Sequence, residues 1–223
     1  MQHALACLFF ACLGYFLIQW ARRGTPNFKY RLGNIIAWTI CLTLVLWTGI
    51  RIGLEGFNPK EHLPLHLCNS IAILLPIFAH YRKYWMYEIL LFWILAGTSQ
   101  AIITPDLEHG FPHYDFLKYF IVHCGLVLYI LYATINYNMY PTTKSIFKSF
   151  FALQGYFVAM LLVNYMLGSN YFFISEKPPQ GSLLDYLGPW PWYILVGEAI
   201  VFPYFFLIYI PFYFAKRKKL LRK

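Results

Sequence analysis

Charge is scarce in this 223-residue chain: 12% of its residues are Asp, Glu, Lys or Arg, and only nine are acidic. An ordinary soluble domain carries roughly twice that charged fraction, so a water-solvated globule is excluded. Cysteine is scarce as well. The five copies are scattered, no pair has zinc-ligand spacing, and Cys7, Cys12 and Cys41 lie within apolar runs as small hydrophobes. Neither a disulfide framework nor a metal site is expected. Gly-rich phosphate or dinucleotide loops are missing, so no cofactor is expected. Without repeats, linkers or low-complexity tracts, residues 1–223 read as one integral membrane domain.

What is present is apolar: 60% of residues are hydrophobic and 21% aromatic. Crossing a hydrocarbon core takes roughly 20 mostly apolar residues per helix. Seven runs fit: Leu5 to Trp20, Ile35 to Leu54, Pro64 to Tyr81, Trp85 to Ile103, Phe116 to Tyr137, Ile146 to Leu167 and Trp192 to Phe214. The third is the shortest. Long runs without alternation argue against a barrel, so the expected fold is an all-α polytopic bundle.

The basic residues orient it. Connections one, three and five and the C-terminal tail hold all of the 18 Lys and Arg except Arg51, Lys60, Lys118 and Lys177. The positive-inside rule then puts the N-terminus outside and the C-terminus in the cytoplasm. The first run has no preceding Lys or Arg, so it reads as a retained span and not a signal peptide. The net charge of +9 marks topology, with some attraction of the Lys216 to Lys223 tail for an anionic leaflet, and implies no nucleic-acid partner.

Intramembrane polar residues are costly and collect at functional sites. Here Arg51, His66, Cys68, Asn69, Thr98, Gln100, His123, Asn164 and Glu198 all fall in the half assigned to the outside. Gln154 and His80 are exceptions in the inner half. An outward-facing site is the economical reading. His123 suits proton transfer. Cys68 lies near a helix start whose N1 residue is expected to be Pro64, a place that favours a thiolate. Arg51 either snorkels to headgroups or pairs with Glu198 and holds an anion. Asn69, Gln100 and Asn164 serve as ligands or as interhelical glue. Two histidine pairs at i, i+4, His62/His66 and His109/His113, would suit a metal, but Pro64 breaks the first as a helical pair and Gly110 and Pro112 make the second a loop. The connection before the last span, about 24 residues long, would anchor at the interface through Trp190 and Trp192 or cover the site as a lid.

The runs Leu63-Pro-Leu-His-Leu-Cys-Asn69, Tyr119-Phe-Ile-Val-His-Cys-Gly125, Asn170-Tyr171 to Lys177-Pro178 and Leu184-Asp-Tyr-Leu-Gly-Pro-Trp-Pro-Trp-Tyr193 resemble the YwaF family of bacterial integral membrane proteins. That family is distantly similar to the transmembrane protein 164 family. The resemblance implies a multi-pass protein of the bacterial cell membrane that meets membrane lipids, and a cysteine- and histidine-dependent phospholipid acyltransferase activity. In the second family the nucleophile sits in a Pro-Cys-His run at a helix start, with its histidine two helices later. His123 matches that histidine, and Pro64 and His66 match the flanks of the cysteine, whose place Leu65 takes. Cys68 is one helical turn further on. The leading expectation is a lipid-directed acyl transferase or hydrolase: Cys68 attacks, His123 moves protons, and Arg51 holds a headgroup phosphate. His66, Asn69 or Gln100 would stabilise the oxyanion, and Asn164 and Glu198 would line the site. The alternative is a transporter or receptor binding a small polar solute.

Overall fold

The computed structural model describes residues 2–179 and 181–221, with side chains through residue 215; the basic tail Lys216 to Lys223 lies outside the described side chains. Seven helices account for the apolar runs, with no strand among the described residues. They are α1 (Gln2–Arg23), α2 (Pro26–Glu55), α3 (Leu67–Tyr81), α4 (Tyr84–Ile103), α5 (Tyr114–Asn136), α6 (Thr143–Leu167) and α7 (Trp192–Leu221). Six are long and apolar enough to cross a membrane. The fold is therefore a polytopic helical membrane bundle whose outer faces meet lipid. α3, at 15 residues, rises roughly 22 Å and is the short one.

Connections alternate between two ends. One end, with loops 56–66, 104–113 and 168–191, is loop-rich; the other has short connections at 24–25, 82–83 and 137–142. The centre is α5, 72% buried over its apolar window, against 11% for α7. Gly125 allows that central packing, since a Cβ there would lie 2.8 Å from Ile40 Cγ1 of α2.

Three boundaries depart from the periodic pattern. α2 begins at Pro26, not near Ile35, because Thr25 accepts a hydrogen bond from Phe28 N–H and Pro26 suits the first turn. α3 begins at Leu67, not Pro64: Ser70 Oγ donates to Pro64 O and Tyr156 Oη to Leu65 O, which holds Pro64 to His66 as a non-helical strap. α4 is interrupted by a π-helical turn, Ile94–Thr98. Such turns re-aim side chains and gather at functional sites.

The end with short connections is closed by specific bonds. Glu88, 3% exposed, accepts from Ser145 Oγ at 2.7 Å and pairs with Lys148. Tyr30 and His80 share a 3.1 Å hydrogen bond. Within this end Phe78, Tyr87, Tyr129 and Tyr132 are fully buried, with Tyr132 Oη donating to Lys29 O at 2.7 Å, and Phe92 is buried further along α4.

Candidate functional site

Cys68 stands at the second residue of α3, directly after the non-helical strap. The N-cap residue His66 provides no side-chain bond, and the N–H groups of Leu67, Cys68 and Asn69 find no partner among the described residues. A helix start left bare in this way presents aligned donors and a partial positive charge to an anion. Across from it, the π turn of α4 delivers Thr98, fully buried, whose Oγ1 lies 3.4 Å from Cys68 Sγ.

His123, 7% exposed, projects from the middle of the central helix. Its Nδ1–H donates to Tyr119 O at 2.8 Å, because a carbonyl only accepts. That bond fixes the tautomer and leaves Nε2 as the free basic nitrogen. Tyr119 stacks on the imidazole with ring centroids 4.1 Å apart and donates its own hydroxyl to Ala101 O of α4 at 2.7 Å.

Lys118 lies five residues before His123 on α5, and its ammonium sits 3.8 Å above the ring of Trp47 from α2. No direct hydrogen bond joins the Cys68 thiol to the His123 imidazole; the thiol meets Thr98 of α4, and the imidazole meets Tyr119, whose hydroxyl in turn bonds α4. His66 packs against Tyr171 and Phe173 at 5.4 and 4.8 Å, so the connection after α6 roofs this corner. That roof is tied down: Tyr171 Oη donates to Pro59 O and accepts from Leu63 N–H, and Tyr193 Oη donates to Phe173 O.

The other expected residues divide between this corner and elsewhere. Arg51 is at its rim, over Trp47 at 5.3 Å, and is held by both oxygens of Glu55, with Glu61 at 3.8 Å; Glu198 is not its partner. Asn69 follows Cys68 on α3 and is half-buried. Gln100 donates to Tyr204 Oη of α7 at 3.3 Å. The Asn164 carboxamide is committed to Ser169 Oγ and to the Tyr171 backbone, where it shapes the turn after α6. Glu198 accepts from Gln154 Nε2 at 2.5 Å, halfway along α6. Depth counting assigns those two residues to opposite halves; α7 is shifted along α6, and the shift brings them level.

Residue spacing does not single out Lys118, Tyr119 or the bond made by Thr98. Lys118 reads as an interfacial cation close to the start of its span. A basic residue four positions into an apolar helix, with Trp47 available on another, is the signal that could have found it.

No solved structure matches this chain. A protein of Treponema pallidum (strain Nichols), described as uncharacterized, is 22% identical over 192 residues, covering 86% of this chain and 74% of that one. The polar corner itself, from the Pro64 strap to His123, lies within residues 1–209, and over that whole span the chain matches the TMEM164 family, to which it belongs.

Proposed function

We propose that this protein carries out cysteine- and histidine-dependent acyl transfer or hydrolysis on membrane phospholipids. The observation that carries the reading is Cys68 on a bare helix start, 3.4 Å from Thr98 Oγ1, with buried His123 and Lys118, unpaired among the described residues, on the central helix beside it. We further assign the chain to the bacterial YwaF branch of its family and to the bacterial cell membrane, on the four motifs quoted above. The loop-rich end faces outside in this reading.

In the first half-reaction the Cys68 thiol gives its proton, through an intervening water, to His123 Nε2. Its sulfur then attacks the acyl carbonyl carbon. The negative charge that forms on the carbonyl oxygen is met by the free N–H groups of Cys68 and Asn69. The C–O bond to the glycerol breaks, and its oxygen takes the proton back from His123. This leaves a thioester on Cys68 and a lysolipid. In the second half-reaction an acceptor hydroxyl, or water, gives its proton to His123 and attacks the thioester. The thiolate leaves and is reprotonated. Lys118 and Arg51 face the phosphate, and Tyr119 holds the His123 ring in place through its backbone carbonyl and its own ring.

The chemistry moves from the position where Leu65 stands to Cys68. Leu65 has no nucleophilic atom, and its carbonyl is taken by Tyr156 at 2.5 Å. The tightly packed aromatic plug of Phe78, Tyr129 and Tyr132 at the short-connection end favours this reading over a transporter, which needs an open polar path to the other side. The experiment is lipid profiling by mass spectrometry of membranes from cells expressing the wild type, Cys68→Ser or His123→Ala at equal abundance. A shift in acyl composition lost in both variants is the expected result. Loss in His123→Ala alone would remove Cys68 as the nucleophile, and no shift in the wild type would remove the lipid reaction.

A further inference from the structure

The loop joining α4 to α5 and the first turn of α5 carry a group of side chains that acyl transfer does not use. His109, His113 and Asp115 each bring one donor atom to a common point, all within 4.8 Å of one another. Asp115 Oδ2 is 3.2 Å from His113 Nδ1 and 3.9 Å from His109 Nδ1. The two imidazoles lie stacked, 4.1 Å apart and 19° from parallel. Spacing alone argues against a metal here because Gly110 and Pro112 prevent a helix. The turn achieves by folding back what a helix would have done by its pitch, with His113 N–H donating to Gly110 O at 3.0 Å.

The separations suit one ion once the two imidazoles turn out of their stack, so that both in-plane lone pairs point at it and His113 Nδ1 exchanges the Asp115 N–H for the metal. Bonds of the length zinc makes to nitrogen and oxygen, in tetrahedral geometry, separate the donors by roughly 3.4 Å. The carboxylate is also oriented from behind, as ligands in metal sites are: its other oxygen, Oδ1, accepts from Trp47 Nε1 at 2.5 Å. With 54% of the His109 side chain and 36% of the His113 side chain exposed, an ion can enter from water and keep a fourth position open. Two imidazoles and one carboxylate are a borderline donor set that selects zinc-like ions over magnesium or calcium.

We propose that His109, His113 and Asp115 form a three-ligand site for one divalent transition-metal ion on the rim of the loop-rich end, with Trp47 as the residue that positions Asp115. The site stands independently of the acyl chemistry. It also borders it, because the Trp47 ring that orients Asp115 is the one beneath Lys118 and beside Arg51.

The test is a titration of the full chain, purified in detergent through a tag without histidine and stripped with a chelator. Cobalt(II) is the probe, read by its visible absorption, followed by displacement with zinc(II). The expected result is one equivalent of cobalt with a tetrahedral spectrum, displaced by zinc. His109→Ala should weaken binding by about tenfold or more, as expected for loss of a ligand. His109→Ala is the deciding variant, since its side chain caps no helix, whereas His113 Nδ1 accepts from Asp115 N–H at the start of α5. His62→Ala, away from the cluster, should leave the affinity unchanged. Trp47→Phe should retain the stoichiometry with a weaker affinity. Absence of saturable binding in the wild type, or binding unaltered in His109→Ala, would overturn the proposal.

Discussion

Two single residues separate what holds the site from what uses it. Tyr171, buried and off the spans, ties the roof to the strap through its hydroxyl, which donates to Pro59 O at 2.8 Å and accepts from Leu63 N–H at 3.1 Å. Tyr171→Phe keeps the ring against His66 and removes both bonds, leaving two backbone groups unpaired at a cost of about 1–3 kcal/mol. The expected outcome is a lower melting temperature and faster amide exchange confined to residues 57–66; unchanged exchange there would show that the strap stands without Tyr171. Lys118 is the opposite case. It makes no ion pair among the described residues and rests on the Trp47 face, so its charge is available to a ligand. Lys118→Met preserves the stem's packing and deletes the ammonium. Loss of a charge-assisted contact to a phosphate corresponds to about 1.5–3 kcal/mol. Lipid turnover should fall by roughly 10- to 150-fold at unchanged protein abundance, and equal turnover would exclude Lys118 from headgroup binding.

At the scale of elements, apolar runs of spanning length made all seven helices legible in the sequence, because lipid forces each crossing to satisfy its own backbone. The same argument cannot see where a helix continues into the interface. That is why polar Asn27, Lys29 and Arg31 obscure the first two turns of α2. Of the site, His66, Cys68 and His123 are visible as costly polar residues in apolar text. Lys118 and Tyr119 are not, because each reads as an ordinary interfacial residue near the start of its span, and the bond of Thr98 to Cys68 is not, because a pattern of period 3.6 assumes a regular helix and α4 contains a π turn. Were the same residues regular α-helix, Thr98 would point about 100° away from its present direction. Inserting one alanine after Ala96, which the π turn cannot also absorb, should turn Thr98 by about that angle and separate it from Cys68. In a chain whose other cysteines are replaced, Cys68 should then react faster with a thiol probe while helix content by circular dichroism stays constant. An unaltered rate would mean that the π turn does not govern access to the thiol. Glu198 and Gln154 illustrate a further limit: their 2.5 Å bond depends on how far α7 slides along α6, and no single helix encodes that offset.

Across the whole molecule, charge and architecture point the same way. The three short connections sit beside Arg22, Arg23, Arg82, Lys83, Lys144 and Lys148, whereas the loop-rich end holds Glu55, Glu61, Asp106, Glu108, Asp115, Glu176 and Asp185. A polar site at the loop-rich end above an aromatic plug is useful only on the side where its substrate lies, so orientation and function are one question. Basic residues are retained on the cytoplasmic side during insertion, and on that rule we propose that both the Cys68 corner and the His109 cluster face outside. The prediction can be read without any assay of activity. Single cysteines placed at residue 110 and at residue 141, in a chain with the native cysteines replaced, are labelled in intact cells with a membrane-impermeant maleimide. Position 110 should label and position 141 only after lysis. The reverse pattern would move the site to the cytoplasmic leaflet, and its lipid and metal would then have to come from the cell interior. Labelling of both positions before lysis would instead show that the aromatic plug does not seal, and would restore the solute-transport reading that Phe78, Tyr129 and Tyr132 argue against.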